Sequence, residues 1–207
     1  MERSHEPGEF YLFNGVGPHP KPWPQGAQYD HELLNHGDSR NIEDRFRYLT
    51  VDAIRSQLDE TRLPVEVAIE NWQHDLNIGS LVRTSNAFNV NAIHIIGNKR
   101  WNQHGALMTD KYMHLIHHAS VEEFLADCSE RELPVIGIDN VPGAQPIETA
   151  TFPRRCVLVF GNEGLGLTDE AIAGCSQSYF ITQSGSVRSM NASAAGAIAL
   201  YAWRQQS

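Results

Sequence analysis

The sequence predicts an α/β domain built on a parallel sheet, preceded by an irregular and partly helical N-terminal extension. Three observations carry this. From Pro64 onward, strand-like and helix-like runs alternate. Residues 156–160, Cys-Val-Leu-Val-Phe, are apolar at every position, as in a parallel strand covered on both faces. Residues 192–203 are Ala-rich, with strong helix propensity, and close the chain. A chain of 207 residues is long enough for one domain with an extension. The boundary is expected near residue 62, giving an extension over 1–62 and a main domain over 63–207.

Taken in order, residues 1–30 hold Pro7-Gly8, Gly17-Pro18 and Pro22-Trp23-Pro24 and read as irregular and extended. Phe10, Tyr11, Leu12, Phe13 and Trp23 are costly to leave in water, so they are expected to pack onto the body or onto a second copy. Residues 43–60 read as a polar helix with Phe46, Leu49, Ile54 and Leu58 on its apolar side. In the main domain, strands are expected at 65–69, 92–96, 135–138, 156–160 and 179–181. Helices are expected at 78–88, 121–129 and 192–203, with a short one at 169–174 capped by Thr168.

Composition excludes several classes. The three cysteines, Cys128, Cys156 and Cys175, form no CxxC pair, so reduced thiols and a cytoplasmic location are expected. No apolar run approaches the ~20 residues that span a bilayer, and no membrane partner is expected. A net charge of −9 is unusual for a nucleic-acid binder. Between Asn77 and His118, however, Asp110 is the one acid against Arg83, Lys99, Arg100 and Lys111. That local excess suits a phosphate partner, although a chance gap in the acids has the same appearance.

Three segments carry the chemistry. In the first, Asn77 stands where a loop becomes a helix, and Arg83 lies beside an apolar stripe. Such a guanidinium can grip a phosphate or a carboxylate, and a snorkelling surface arginine shows the same pattern. The second, Phe160-Gly161-Asn162-Glu163-Gly164-Leu165-Gly166, follows a buried strand, where α/β folds bind ligands. Its GxxGxG spacing is neither the dinucleotide fingerprint nor a P-loop, and a tight structural turn is the bland alternative. The third, Ser189-Met190-Asn191-Ala192-Ser193, runs into the last helix. It reads either as a simple N-terminal cap or as a ligand-holding helix end. His114, His117 and His118 have the i, i+3, i+4 spacing of a helical metal site, but lack an HExxH pattern, and no metal is expected there. The loop with Lys99, Arg100 and Trp101 combines cations and an indole suited to RNA, and a solvated surface loop has the same composition.

In this order and at these separations, the three segments resemble the motifs of the SpoU (TrmH-like) family of the SPOUT superfamily: Asn77-Ile78-Gly79-x-x-x-Arg83, then Val159 to Leu167, then Ser189 to Ser193. The resemblance covers about residues 64–207. It implies an α/β domain with a C-terminal trefoil knot, a homodimer, and S-adenosylmethionine as cofactor. The implied reaction is methylation of an RNA ribose 2′-hydroxyl in tRNA or rRNA, with no metal required. Residues 1–60, acidic and Pro-rich, do not look like the separate substrate-binding domain of many rRNA-directed members, so tRNA is favoured over rRNA. The implied catalytic residues are Arg83, Asn77, Glu163, Ser189 and Asn191. Phe160, Gly161, Asn162, Glu163, Gly164, Ile181, Gln183, Ser189, Met190 and Asn191 would hold the cofactor, and Arg83 the RNA. Lys99, Arg100 and Trp101 are expected to contact the RNA on the composition of their loop, not on the resemblance. The chain departs from the family at Thr182-Gln183, where Pro-Met is common, and at Met190 and Ala192. A catalytically silent, knotted RNA-binding or assembly protein is the competing reading.

Overall fold

The computed structural model describes residues 15–72, 77–162, 164–186 and 189–206. Phe10, Tyr11, Leu12, Phe13 and Glu163 lie outside the described residues. The chain divides into two compact units, Met1–Glu60 and Thr61–Ser207.

In the first unit, α1 (His31–His36) starts at Asp30, whose Oδ1 accepts from the N–H groups of Glu32 and Leu33. Helix α2 (Val51–Asp59) starts at Thr50, whose hydroxyl accepts from Ala53 N. The continuous helix expected over 43–60 is therefore shorter. Tyr48 has a φ of 63°, and a lone 3-10 turn spans Asp44–Phe46, so the chain turns before Thr50 restarts it. Leu34, Phe46, Leu49 and Ile54 are buried. The Trp23 indole packs edge-on against His31, and its Nε1–H donates to His19 O. Asp38, fully buried, accepts from Arg40 Nε and Nη2 and from the Tyr48 N–H. Burial alone would raise this carboxyl, but those donors hold it below the usual carboxylate range.

In the second unit the elements run β1 (Val65–Asn71), α3 (Asn77–Ala87), β2 (Ile93–Gly97), β3 (Leu115–His118), α4 (Val121–Glu130), β4 (Val135–Ile138), β5 (Gln145–Pro146), β6 (Cys156–Phe160), α5 (Asp169–Gly174), β7 (Gln177–Phe180) and α6 (Ala192–Arg204). The seven strands form one sheet in the order β3-β2-β1-β6-β4-β7-β5, and each pairing is parallel. All strand carboxyl ends therefore share one edge.

The period of two along each strand sorts side chains between two helical layers. Val65, Val67 and Ile69 of β1, with Ile93 and Ile95 of β2, face Ile78, Leu81 and Val82 of α3 and Leu200 and Trp203 of α6. Ala68, Ile96, Val157 and Val159 face Val121, Phe124 and Cys128 of α4 and Ala171 of α5. Trp203 is fully buried, with its indole N–H donating to Pro153 O at 3.1 Å, which anchors the chain's last helix. Burying a large apolar side chain of this kind contributes roughly 1.5–3 kcal/mol.

Most expected elements stand within two residues of their predicted bounds. Two differences matter. Residues Leu115–His118 form strand β3, so His114, His117 and His118 never share a helix face. His118 is buried on the sheet face that α4 covers, whereas His117 is exposed and its Nε2 lies 2.8 Å from Gly97 O. Strand β7 also starts two residues earlier than expected, leaving Ile181 outside it. No helix among the described residues is long and apolar enough to cross a membrane.

Candidate functional site

A cavity of about 390 Å³ opens at the carboxyl ends of β4, β6 and β7, against the start of α6. Parallel sheets put ligands here because each strand's following loop must turn away, leaving backbone groups to face the crevice. Phe160, Gly161, Asn162 and Gly164 line it after β6, Ile181 and Gln183 after β7, and Ser189 and Met190 before α6. These residues, far apart in sequence, were expected together, and the fold brings them together. Leu165 stands 79% exposed at the mouth.

Backbone chemistry shapes the loop after β6. Asn162 and Gly166 exchange backbone hydrogen bonds of 3.1 and 2.8 Å, and Asn162 Oδ1 accepts from Gly164 N. Gly166 adopts a φ of +71°, and a Cβ there would stand 2.3 Å from Asp139 Oδ2. Two carboxylates then fasten the loop's exit. Asp139, just past β4, accepts from Leu167 N at 2.7 Å. Glu70, fully buried near the end of β1, accepts from both the N–H and the hydroxyl of Thr168 at 2.8 and 2.7 Å. Sequence reasoning missed Asp139 and Glu70. For Asp139 a signal existed: a carboxylate directly after a buried strand, at the edge where such folds bind ligands.

The first and third motifs meet directly. Asn191 caps α6, its Oδ1 accepting from Ser193 N at 2.9 Å and Ala194 N at 3.3 Å. Its Nδ2 donates to Asn77 Oδ1 at the start of α3. The one side chain thus starts one helix and ties down another. Replacing Asn191 with alanine is expected to cost about 1 kcal/mol through the lost cap. Asn191→Asp keeps the capping oxygen but sets a carboxylate against Asn77 Oδ1. Urea unfolding of both variants checks this: a loss from alanine well under 0.5 kcal/mol would remove the cap from the account.

Other expected residues stand elsewhere. Arg83 is exposed on α3, on the side away from the buried Ile78, Leu81 and Val82, and does not line the cavity. Lys99 and Arg100 are exposed, while Trp101 is half-buried against the core. Their loop is pinned to the end of β1, where Asn71 Nδ2 donates to Asn98 O and Arg100 O at 2.7 and 3.0 Å. Because the sheet is parallel, this loop lies at the same sheet edge as the cavity. At the departure from the common motif, Thr182 Oγ1 donates to Glu148 Oε2 at 3.1 Å.

Comparison with known proteins agrees with this layout. The sequence profile of the SpoU rRNA Methylase family matches residues 64–201. The Escherichia coli K12 tRNA (guanosine(18)-2′-O)-methyltransferase is 23% identical over 143 residues, 68% of this chain and 62% of that protein. The chain thus spans less than two-thirds of that relative's length. Among solved structures, the TrmH/SpoU tRNA modifying enzyme of A. aeolicus superposes with a TM-score of 0.66 at 21% identity, covering 75% of this chain and 81% of that one. The AviRb methyltransferase of Streptomyces viridochromogenes, in complex with AdoMet, superposes with a TM-score of 0.58 at 22% identity, covering 68% and 57%. With the family profile matched across most of the α/β unit, and its three motifs gathered at one sheet edge, the chain belongs to the SpoU (TrmH-like) family of the SPOUT superfamily.

Proposed function

We propose that the chain is an S-adenosylmethionine-dependent RNA methyltransferase acting on a ribose 2′-hydroxyl, with tRNA as the favoured substrate. One observation carries the proposal. The cavity after β4, β6 and β7 is walled by the second and third motifs, and the Asn77–Asn191 hydrogen bond joins the first motif to them. The name of the Escherichia coli relative supports a 2′-hydroxyl of tRNA as the target.

The cavity suits the cofactor. Its volume falls within the roughly 300–1,000 Å³ of small-molecule sites. Ile138, Phe160, Leu167 and Ile181 offer apolar wall for an adenine, and Asp139, Asn140, Gln183 and Ser189 offer polar groups around it. Gly161, with no room for a Cβ, lets backbone approach closely. When bound, S-adenosylmethionine supplies a methyl group made electrophilic by its sulfonium.

The chain's own residues then have to orient a poor nucleophile and remove its proton, which is catalysis by positioning and general base action. Ser189 stands exposed at the rim to meet the ribose, and Asn77 holds Asn191 in place beside it. Glu163 is assigned to the loop by resemblance alone. Arg83, outside its own chain's cavity, serves the site of a second copy in an isologous homodimer. The exposed Ile198 and Tyr201 of α6 and Ala87 of α3 supply apolar surface for that pairing. Lys99 and Arg100 meet the RNA backbone from the same sheet edge. Within this reading the C-terminal segment is threaded as a trefoil knot, residues 1–62 form an extension, and the enzyme works in the cytoplasm.

The test is transfer of labelled methyl groups from S-adenosylmethionine to total tRNA and, separately, to rRNA. Label is expected in tRNA nucleotides that resist alkaline cleavage. Arg83→Ala should lower the rate by about 100-fold or more without loss of cofactor-dependent thermal stabilisation. Absence of both label and stabilisation would overturn the proposal in favour of a silent RNA-binding protein.

A further inference from the structure

On the sheet face opposite α3 and α6, a set of side chains that methyl transfer does not use converges beneath α4. Glu66 on β1, His94 on β2 and His118 on β3 are all at most 3% exposed. Their strands are adjacent, and their side chains point to the same face because each sits at the matching phase of the pleat. Glu66 Oε2 lies 2.7 Å from His94 Nε2, and His94 Nδ1 lies 2.8 Å from His118 Nε2. Asp127 on α4 closes the group: ligand atoms of His94, His118 and Asp127 all lie within 4.8 Å of one another.

We propose that His94, His118 and Asp127 form a binding site for one divalent transition-metal ion of the zinc class. The donor set is chemically apt, since two imidazoles and a carboxylate select zinc-like ions over magnesium or calcium. The His94 tautomer is already the one a ligand needs. Glu66 is a carboxylate and can only accept, so His94 carries its proton on Nε2 and turns the Nδ1 lone pair toward His118. A carboxylate behind a ligating histidine is the usual supporting arrangement at zinc sites.

The geometry needs a small adjustment. Nitrogens around a tetrahedral zinc stand about 3.3 Å apart, so the histidine pair must part by about 0.5 Å. The proton that His118 now places on Nε2 moves to Nδ1, freeing the lone pair that binds. Asp127 uses one oxygen to accept from Arg131 Nη1 at 2.9 Å, and the other serves the ion. Its side chain is 34% exposed, so a water completes the fourth position from the solvent side. Phe124 lies edge-on to both imidazoles at 5.5 Å and holds their planes. An ion there fastens the edge strand β3 and helix α4 to the sheet. The site is structural and stands apart from the methyl-transfer reading.

The test uses the untagged full chain, stripped with a chelator and dialysed, then titrated with Co²⁺ and with Zn²⁺. One equivalent of Co²⁺ should give a visible absorption band of a low-coordinate site, displaced by Zn²⁺, with thermal unfolding raised by several degrees. Asp127→Asn, at the half-open edge, should keep the parent's circular dichroism and weaken Co²⁺ binding at least about 10-fold. His118→Gln should lose the band. A parent with neither band nor shift overturns the site. So does a band of equal strength in Asp127→Asn, which would put the ion on other histidines.

Discussion

Gly161→Ala is expected to abolish measurable cofactor binding and, with it, methyl transfer. An added Cβ would stand 2.0 Å from Gly166 C and 2.1 Å from Leu167 N. Both neighbours are backbone, so no flexible side chain can yield. The loop closes on itself at this point through the paired Asn162 and Gly166 hydrogen bonds, and Leu167 is held by Asp139. Relieving the clash must break that closure and push a wall of the cavity outward. Overpacking of this kind costs about 3 kcal/mol in stability. The larger effect falls on binding. The parent should gain about 2.7 kcal/mol from S-adenosylmethionine at 100 times its dissociation constant, and the variant should gain nothing at that concentration. Gly185→Ala is the control, because nothing lies within 4 Å of a Cβ built there. It should stay within about 0.5 kcal/mol of the parent. A Gly161→Ala protein stabilised by the cofactor as strongly as the parent would show that this loop does not form the cofactor's wall.

The contrast between these two glycines shows what a sequence carries and what it withholds. Three glycines after a buried apolar strand mark a ligand loop, since only that residue permits such closeness and a φ of +71° at Gly166. The carboxylates that pin the loop are less visible. Asp139 lies 28 residues from the Leu167 N–H it accepts from, and Glu70 lies 98 from Thr168. Strong local patterns survived folding: Cys156–Phe160 and Ala192–Arg204 are plain from composition alone. Weak ones did not. Strand β3, Leu115-Ile116-His117-His118, puts two histidines in a four-residue edge strand and lacks an alternating pattern. Helix α1 has six residues and buries only Leu34, too little for a periodicity. Arg83 shows the remaining gap, for its motif was legible, yet one chain leaves it outside the cavity.

The second large effect concerns Glu66, whose replacement by glutamine should cost about 3 kcal/mol of stability at neutral pH. This buried carboxylate accepts from Asn91 Nδ2 at 2.6 Å, from His94 Nε2 at 2.7 Å and from Arg131 Nη2. Burial by itself would raise its pKa. The hydrogen bonds from His94, Arg131 and Asn91 outweigh it and bring the group down to about 2. A folded-state value below the unfolded one means that the unfolded chain binds more protons between the two. The stabilisation is therefore complete above pH ~4.5 and is lost as pH falls toward about 2. Glutamine presents an N–H₂ to one of those donors and leaves the Arg131 guanidinium without its buried anion. Urea unfolding in the presence of a chelator, which keeps any bound ion out of the comparison, should show the gap between parent and Glu66→Gln at full size near pH 7. The gap should narrow below pH ~4.5 as the unfolded parent's carboxylate takes up a proton that the folded one does not. His118 adds to the acid sensitivity, because burial lowers its pKa and protonation would put charge beside His94. Its share is present above its ordinary 6.5 and is lost as pH falls through the depressed value. A gap that stayed constant from pH 7 down to 3 would mean that Glu66 is not held as an anion by its three donors.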